Sequence, residues 1–415
     1  MGRLRYSMVG YLFAGQGSQY AGMGKELFVS DSDFRAAMDD ALSAVQPHVS
    51  FDMREAVFES DSARLANTEV TQPALFCLQY ALMRMWQAKR VAPVCLIGHS
   101  VGEFAAAVLA DIMSLADAAK LVARRGALMQ AQPAGGMLSV RLSAAQLQSQ
   151  LPSALVLAAS NGPLTTVVAG PLDALSGFRE TLEAQGVLAR KLETSHAYHS
   201  PMMEAAAVAF RSEFEDVTLR APRIQIISTK TGTWLTDAQA KDPEYWADHL
   251  RSTVQFSAAV TRALENGWRN FLEIGPRATL CTLARQHAPE AVTAIASLGD
   301  TPQTEERTVL LAQGQLWAVG VVVKAPAAHP SRNRKRIALP TYPFEKTRVW
   351  LDAVASRNIA GQPAPTRLTL STTETTPMAT PPVSTQATPS PRISELVGQL
   401  RTLFEDVCGM DLAAA

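Results

Sequence analysis

The sequence predicts an α/β fold in which a large subdomain with a parallel sheet carries an inserted, smaller, ferredoxin-like subdomain. Two observations support this prediction. An apolar run ends in Gly98-His99-Ser100-Val101-Gly102 and passes directly into a helix-forming run, which is the strand–turn–helix order of a nucleophile elbow in α/β-hydrolase-like proteins. Between residues 135 and 200, short segments follow one another in the strand–helix–strand–strand–helix–strand order of a ferredoxin-like unit.

The length and composition are typical of a soluble protein with more than one domain. The chain has 415 residues, of which 47% are hydrophobic and 18% are charged. Lys plus Arg and Asp plus Glu number 38 each, which argues against nucleic acid or an anionic membrane as a partner. The four cysteines are scattered without metal-type spacing, so we expect no metal site. There is no secretory signal and no apolar run of ~18 residues, so we expect a cytoplasmic location.

The first part of the large subdomain, residues 8–134, is predicted from its apolar pattern. Met8–Phe13 is a strand-like run that leads into a Gly-rich turn and then into helix-like sequence. Thr71–Lys89 has helical apolar spacing, with Pro73 near its start, and Ser114–Ala131 shows the same spacing. The sequence therefore predicts helices on both sides of the elbow.

The inserted subdomain is predicted over residues 135–200. Its predicted elements are the strand Met137–Arg141, the helix Ala144–Gln150, the strands Leu155–Ser160 and Thr165–Gly170, the helix Pro171–Gln185 and the strand Val187–Lys191. The α/β pattern of the large subdomain then resumes over residues 201–298. It contains strand-like runs at Ile224–Ser228 and Asn270–Ile274.

The composition changes towards the C-terminus. Residues 299–352 include a helix-like segment over Val309–Val323. Residues 353–391 are rich in Thr, Pro and Ser, and they hold too few large apolar side chains to offset the entropy of ordering, so we predict a disordered linker. Residues 392–415 open with another amphipathic helix pattern.

Ser100 is the candidate nucleophile because the elbow would present its Oγ above the end of a strand. Gly98 and Gly102 allow a turn too tight for a Cβ, and the next helix directs its N-terminus at developing negative charge. A serine nucleophile also needs a base. The residues alone leave His199 open as a base or as a solvated histidine, and His196 could equally well line a pocket, whereas His99, directly beside the nucleophile, would be a poor base.

Eight short motifs lie along residues 8–352. They are YLFAGQGSQYAGMGKELF (11–28), TQPALF (71–76), GHSVGEFAA (98–106), LVARRGALMQ (121–130), SHAYHSPMM (195–203), YWADHLRSTVQF (245–256), FLEIGP (271–276) and LPTYPFEKTRVW (339–350). In combination they resemble the motifs of the acyltransferase domain of modular type I polyketide synthases and of its relative, malonyl-CoA:acyl carrier protein transacylase. The resemblance implies an acyltransferase.

The resemblance also implies roles for single residues. Ser100 becomes the nucleophile and His199 the general acid and base, while the backbone N–H groups of Gln16 and Val101 become the oxyanion hole. Arg125 becomes the bidentate partner of the substrate carboxylate, which agrees with the match between a planar guanidinium and a carboxylate. We therefore expect a site for diacids.

Further residues of the same motifs are expected to surround the substrate. His99, His196 and Tyr198 are expected to bind it, and the backbone carbonyl that orients the catalytic histidine is expected from Gln255. The specificity motif reads His-Ala-Tyr-His, whereas malonyl-selective relatives usually have His-Ala-Phe-His and methylmalonyl-selective ones Tyr-Ala-Ser-His. The ring of Tyr198, together with Val101 where many methylmalonyl relatives carry Gln, favours malonyl.

The implied reaction moves malonyl from malonyl-CoA, through an ester of the serine, to the phosphopantetheine thiol of an acyl carrier protein, with no bound cofactor. Residues 299–352 resemble the post-acyltransferase linker, and residues 392–415 resemble the truncated start of an acyl carrier protein domain. The expected partners are malonyl-CoA, the carrier protein and the neighbouring ketosynthase domain of the same synthase. No nucleic acid and no membrane are expected.

Other functions stay open. The acyltransferase could take methylmalonyl or a monoacyl starter. A serine esterase would need an Asp or Glu after the elbow and then a late His to complete a triad, and no such pair stands out in the sequence. A catalytically silent docking module is the third alternative, against which the presence of Ser100, His199, Arg125 and Gln16 argues.

Overall fold

A computed structural model describes residues 7–324 of the chain. These residues contain eight strands: β1 (Val9–Phe13), β2 (Pro93–Gly98), β3 (Gly136–Val140), β4 (Val156–Gly162), β5 (Thr165–Gly170), β6 (Ala189–Lys191), β7 (Asn270–Ile274) and β8 (Thr293–Ala296).

The same residues form fifteen α-helices: α1 (Lys25–Ser30), α2 (Ser32–Val45), α3 (Met53–Phe58), α4 (Ser62–Leu65), α5 (Thr68–Ala88), α6 (Gly102–Leu109), α7 (Leu115–Gln130), α8 (Ala144–Gln148), α9 (Leu172–Ala184), α10 (Glu204–Ser212), α11 (Asp237–Ala240), α12 (Pro243–Asp248), α13 (Phe256–Glu265), α14 (Thr279–Arg285) and α15 (Glu305–Ala318).

The large subdomain is built on a parallel sheet with the strand order β2-β1-β7-β8. Its strands are apolar runs, and every residue of β1 is buried, with helices α6 and α14 packed against that strand. The last residue of β1, Phe13, pairs with Gly98 at the end of β2 and with Ile274 at the end of β7. The loops that follow these three strands therefore meet at one edge of the sheet, where parallel α/β folds place their ligands.

Helix α5 is the main packing element beside this sheet. It contacts α2 and α7 and is buried along most of its length. Pro73 lies inside the helix rather than at its first residue, because α5 begins at Thr68, three residues before the predicted start.

The small subdomain is a four-stranded antiparallel sheet with the order β4-β5-β3-β6. With its two helices, this order is that of a ferredoxin-like unit. It has an apolar core of its own, which includes Leu138, Val168, Phe178 and Leu182. The predicted fold class, a large α/β subdomain with a parallel sheet plus a small subdomain, is thus confirmed.

Two sequence predictions differ from the structure. Ile224–Ser228 is not a regular strand, because only isolated bridges join Ile226 to Leu96 and Ile227 to Trp234. The second difference concerns helix α15, which spans Glu305–Ala318, whereas the sequence pattern predicted a helix-like segment over Val309–Val323.

Helix α15 packs on β8 and α1 of the large subdomain. Its first residue, Glu305, has no exposed surface. The Glu305 carboxylate accepts hydrogen bonds from the Tyr20 hydroxyl at 2.7 Å and from the backbone N–H groups of Gly24 at 2.6 Å and Glu26 at 3.0 Å. Burial raises the pKa of this carboxyl. Glu305 therefore fixes the loop that leads from β1 to α1.

The predictions for residues 353–391, for residues 392–415 and for the motif at 339–350 lie outside the described residues.

Candidate active site

The sharp turn between β2 and α6 places Ser100 at the edge where the parallel strands end. A Cβ on Gly98 would lie 2.3 Å from the Cα of Glu103, and one on Gly102 would lie 2.4 Å from the carbonyl oxygen of Phe13. These contacts confirm that the turn is too tight for side chains at both glycines. Ser100 itself adopts a left-handed backbone conformation, with φ of 53°.

The structure brings Ser100 and His199 together, although 99 residues separate them. The Ser100 Oγ lies 2.9 Å from Nε2 of His199, and both side chains are buried. His199 also has a left-handed backbone, with φ of 56°. Such conformations are unfavourable for residues other than glycine and persist only where neighbouring contacts hold them.

A backbone carbonyl orients the other side of the His199 ring. Nδ1 lies 3.0 Å from the carbonyl oxygen of Ser252, and the backbone N–H of His199 donates to the carbonyl of Leu250 at 3.1 Å. Because a carbonyl can only accept, Nδ1 carries the proton and Nε2 is free to accept the proton of Ser100.

The prediction that Gln255 supplies this carbonyl is wrong. Gln255 is the N-cap residue of α13, and its carbonyl accepts the first hydrogen bond of that helix, from the N–H of Ala259 at 3.0 Å. The carbonyl three residues earlier, that of Ser252, precedes the helix and is free to bind the histidine.

The surroundings of His199 keep its imidazole neutral. Burial lowers its pKa well below the ordinary value, and the positive charge of Arg125 and the rings of His249 and His99 lower it further. The bond to the Ser252 carbonyl acts in the opposite direction but does not reverse the shift. His199 is therefore able to accept a proton at neutral pH.

Arg125, on α7, is a buried cation beside the serine. Its side chain has no exposed surface, and it donates to Oγ of Ser100 at 3.1 Å and to Oε1 of Gln72 at 2.7 Å. Among residues 7–324, no carboxylate lies within ion-pair distance of it and its Nε finds no acceptor. Burial lowers the pKa of this guanidinium to about 9. A buried cation without a counter-ion favours the binding of an anion.

A chain of hydrogen bonds joins Arg125 to the specificity motif. Gln72 receives a bond from Arg125 and donates to Oε1 of Gln16 at 3.4 Å. The Gln16 amide in turn donates to the Tyr198 hydroxyl at 3.3 Å, and that hydroxyl also bonds the Thr68 hydroxyl. The hydroxyl by which Tyr198 differs from phenylalanine is therefore fully engaged by neighbouring side chains.

The two predicted oxyanion-hole residues flank this site. Gln16 follows β1 and Val101 follows Ser100, in loops that start at the same edge of the sheet. Among the described residues, neither backbone N–H donates to another group of the chain. Both donors are thus available to a ligand.

The remaining two predicted histidines occupy different places. His99 lines the cavity, and its Nε2 lies 2.9 Å from Oδ1 of Asn161 in the small subdomain. His196 uses both ring nitrogens within the chain, at 2.8 Å from Oγ of Ser195 and 3.0 Å from the carbonyl oxygen of Gln132. Its ring stacks behind Tyr198 and is not on the cavity wall, which corrects the expected substrate contact.

A cavity of about 680 Å³ opens onto Ser100 and His199 between the two subdomains. Its wall includes residues of the loops that follow β1 and β2 and residues of the small sheet, among them the exposed side chains of Arg190 and Lys191. This volume is that of a site for a sizeable organic ligand.

Residues 7–324 contain no group of His, Cys, Asp and Glu side chains arranged to hold a metal ion. Within the same range, no helix combines the length and the apolar character that crossing a membrane requires.

The sequence reasoning missed Gln72, Thr68 and Ser252. Gln72 and Thr68 are buried polar residues on a largely apolar helix, and that irregularity was the signal available for them. Ser252 acts through its backbone, so its residue type carries no signal.

Comparison with known proteins gives consistent matches. The family model described as acyl transferase domain matches residues 10–321. The chain is 36% identical over 341 residues to a type I polyketide synthase for phenolphthiocerol synthesis from Mycobacterium marinum, covering 82% of this chain and 16% of that protein. It is also 36% identical over 362 residues to polyketide synthase GfsA of Streptomyces halstedii, covering 83% of this chain and 5% of that protein. The chain thus spans less than a fifth of these relatives.

Solved structures agree with these relatives. The acyltransferase domain from the second module of the salinomycin polyketide synthase has a TM-score of 0.73 at 36% identity, and the match covers 81% of this chain and 80% of that one. A malonyl CoA-acyl carrier protein transacylase from Clostridium perfringens has a TM-score of 0.66 at 27% identity, over 75% of this chain and 99% of that one.

Proposed function

Because the chain belongs to the acyl transferase domain family, we propose that it transfers malonyl from malonyl-CoA to the phosphopantetheine thiol of an acyl carrier protein in a polyketide synthase. The proposal combines three features: the contact between Ser100 and His199, the two available N–H donors, and the buried cation. No bound cofactor takes part in this reaction.

The observation that carries the diacid part of the proposal is the position of Arg125. Its Nη2 lies 3.1 Å from Oγ of Ser100, and it has no carboxylate partner among the described residues. A free carboxylate on the acyl group would pair with this guanidinium while the thioester carbonyl faces the serine. A monoacyl group would leave the buried cation unpaired.

In the first step, the Ser100 hydroxyl passes its proton to Nε2 of His199 and Oγ attacks the thioester carbonyl carbon. The backbone N–H groups of Gln16 and Val101 would stabilise the oxyanion of the tetrahedral intermediate. The C–S bond then breaks, His199 returns the proton to the sulfur, and coenzyme A leaves. The product is malonyl-Ser100.

In the second step, the carrier protein's thiol passes its proton to His199 and its sulfur attacks the ester carbonyl. The C–O bond breaks, Oγ of Ser100 recovers the proton, and the malonyl thioester departs on the carrier protein. Water would compete with the thiol, so the burial of Ser100 and His199 is part of the proposed function.

The preference for malonyl over methylmalonyl rests on Tyr198. Its hydroxyl accepts a hydrogen bond from the Gln16 amide and shares one with the Thr68 hydroxyl, and these bonds hold the ring in one orientation. A fixed aromatic ring there would narrow the space beside the α-carbon of the substrate. Val101, which is buried, is consistent with the same preference.

A serine esterase is less well supported. A Ser-His-Asp triad needs a carboxylate on the far side of the histidine, and here the partner of His199 Nδ1 is the carbonyl of Ser252. The proposed transferase is therefore the better match to the geometry.

The test is intact-mass analysis of the protein after mixing with malonyl-, methylmalonyl- and acetyl-CoA in turn. We expect a stoichiometric malonyl adduct, with slower labelling by the other two thioesters. No adduct with any thioester would contradict the acyl-enzyme mechanism. Free malonate formed without a thiol acceptor, as fast as transfer to one, would show a hydrolase.

The role of Arg125 is tested by Arg125→Ala, with its exposed neighbour as Arg124→Ala control. We expect the Arg125 variant to lose malonyl acylation by ~10²-fold or more, because breaking a buried ion pair costs ~3–5 kcal/mol, and to gain relative activity with acetyl-CoA. Arg124 pairs with Glu213 at the surface, so its variant should behave as wild type. Equal losses for malonyl and acetyl in the Arg125 variant would show a structural role.

A further inference from the structure

Glu103 is a fully buried carboxylate in the first turn of the helix that follows Ser100. It accepts hydrogen bonds from Nε2 of His249 at 3.0 Å, from the backbone N–H of Thr229 at 3.2 Å and from the hydroxyl of Tyr245. The Thr229 hydroxyl lies 3.1 Å away. The proposed chemistry uses none of these four contacts.

The groups that donate to Glu103 come from two segments outside the elbow, one that contains Thr229 and one that contains Tyr245 and His249. Tyr245 lies on α12, and His249 directly follows that helix, four residues further on. In the described residues, Nδ1 of His249 has no hydrogen-bond partner, so the bond to Glu103 is the one that fixes this ring. Glu103 therefore joins the nucleophile's helix to the end of α12.

The end of α12 leads directly into the segment that holds His199. The carbonyl of Leu250, next to His249, accepts the backbone N–H of His199 at 3.1 Å. The carbonyl of Ser252, two residues further, accepts from the ring at 3.0 Å. A displacement of His249 would thus be passed to both bonds that position His199.

The same carboxylate also supports the turn that holds Ser100. The Thr229 hydroxyl lies within hydrogen-bond distance of Glu103 and of the carbonyl of Gly98, at the end of β2. Ser100 and His199 both have left-handed backbones, which need outside contacts to persist. Glu103 is the residue common to the contacts on both sides.

We propose that Glu103 is a positioning residue that holds Ser100 and His199 at hydrogen-bond distance by tying the elbow to the segment 245–252. The inference rests on the proposed acyl transfer by these two residues. Glu103 does not touch substrate, and its effect passes through Tyr245, His249 and Thr229.

The variant that tests this is Glu103→Gln. A glutamine has one acceptor oxygen, and its amide N–H group would face donors where the carboxylate accepts bonds. We expect single-turnover acylation of Ser100 by malonyl-CoA to fall by about 10- to 100-fold, since small misplacements of reacting groups cost that much. The KM for malonyl-CoA should not change, because Arg125 keeps its contacts.

The matched control is Glu273→Gln. Glu273 is also fully buried and accepts two backbone N–H groups, those of Leu280 and Cys281, and no hydrogen bond among the described residues joins it to Ser100 or His199. Both variants should lose thermal stability, but only Glu103→Gln should change the pH profile of acylation. In the Glu103→Gln variant the apparent pKa of His199 should rise towards 6.5, because a displaced His199 becomes more hydrated.

A second pair of variants decides the question if Glu103→Gln does not fold. Tyr245→Phe removes one donor to Glu103, whereas Tyr11→Phe removes a buried hydroxyl that donates to Val91 at 2.6 Å. The first should slow acylation several-fold and the second should not.

The inference is overturned if folded Glu103→Gln, or Tyr245→Phe in its place, acylates at the wild-type rate with the wild-type pH profile. If wild type itself forms no acyl-Ser100, the proposed function fails instead. The two failures are therefore distinguishable in one experiment.

Discussion

The two subdomains share one cavity but contribute different groups to it. The large subdomain, with its parallel sheet, holds Ser100 on a turn defined by tight glycine contacts and Arg125 on a buried helix face. The small antiparallel sheet contributes wall residues such as Asn161 and, at its exposed strand β6, Arg190. The first set is buried, whereas Asn161 is half-buried and Arg190 is exposed.

This difference indicates a division of work. The groups proposed to take part in bond making are Ser100, from the large subdomain, and His199, from the last residues of the insert, where hydrogen bonds to Leu250 and Ser252 fix it against the large subdomain. The small antiparallel sheet shapes the approach to them. Substitutions should therefore affect the rate of chemistry most at these buried residues and affect substrate binding in the small sheet.

The largest expected effect is that of Ser100→Ala. We expect no covalent malonyl adduct by intact-mass analysis, with circular dichroism and melting temperature close to wild type, because a methyl group fits where the hydroxyl stood. A malonyl adduct on this variant would place the nucleophile elsewhere.

The next effect is that of His199→Ala, for which we expect acylation slower by ~10²–10⁴-fold, the usual contribution of a general base.

The wild-type rate should also stay constant as the pH falls from 8 to 6.5, because burial and the charge of Arg125 lower the pKa of His199. The rate should then fall at more acidic pH as the imidazole becomes protonated. Stopped-flow measurement of coenzyme A release gives both results, and a rate already declining at pH 7 would contradict a neutral, buried base.

A smaller change is expected in selectivity from Thr68→Val. This variant removes the hydroxyl that bonds Tyr198 and leaves only the 3.3 Å contact from Gln16. We expect the malonyl to methylmalonyl ratio of kcat/KM to fall by about 3- to 10-fold, since one hydrogen bond is worth ~1 kcal/mol. Thr71→Val is the control, because that buried hydroxyl on the same helix bonds the carbonyl of Asn67 at 3.0 Å. Equal malonyl to methylmalonyl ratios of kcat/KM in the two variants would show that the hydrogen bond to Tyr198 does not affect selectivity.

The smallest effect is expected in the small subdomain, from Arg190→Ala. Its exposed guanidinium lies on the cavity wall, and we expect it to pair with a phosphate of coenzyme A. We expect KM for malonyl-CoA to rise by about 2- to 5-fold at low salt with kcat unchanged, since an exposed ion pair contributes ~0.2–1 kcal/mol. Arg179→Ala is the control, because Arg179 pairs with Glu183 at 3.3 Å on α9. A fall in kcat as large as that of His199→Ala would show that the small sheet affects the chemical step and not substrate binding alone.

Local patterns explain what could be predicted from the sequence. The elbow is a contiguous run whose glycines and flanking elements specify the turn, so Ser100 could be located before the structure was known. The alternation of short strands and helices over 135–200 likewise predicts the small sheet, because each hairpin and helix is coded by neighbouring residues.

Buried polar contacts between distant segments could not be predicted in the same way. Glu103 and His249 are 146 residues apart, and neither apolar periodicity nor spacing indicates that they meet. The partner of His199 is a backbone carbonyl, which depends on where α13 begins rather than on a residue type, and this is why Gln255 was expected in place of Ser252.

The burial of Glu305 bears on how such domains are recombined. A splice junction chosen from the sequence pattern at residue 298 would leave this carboxylate on the far side of the cut. The N–H groups of Gly24 and Glu26 and the Tyr20 hydroxyl would then lose their acceptor, at ~1–3 kcal/mol for each buried group left unsatisfied. A donor fragment for domain exchange should therefore extend through Val321, whose N–H closes the end of α15.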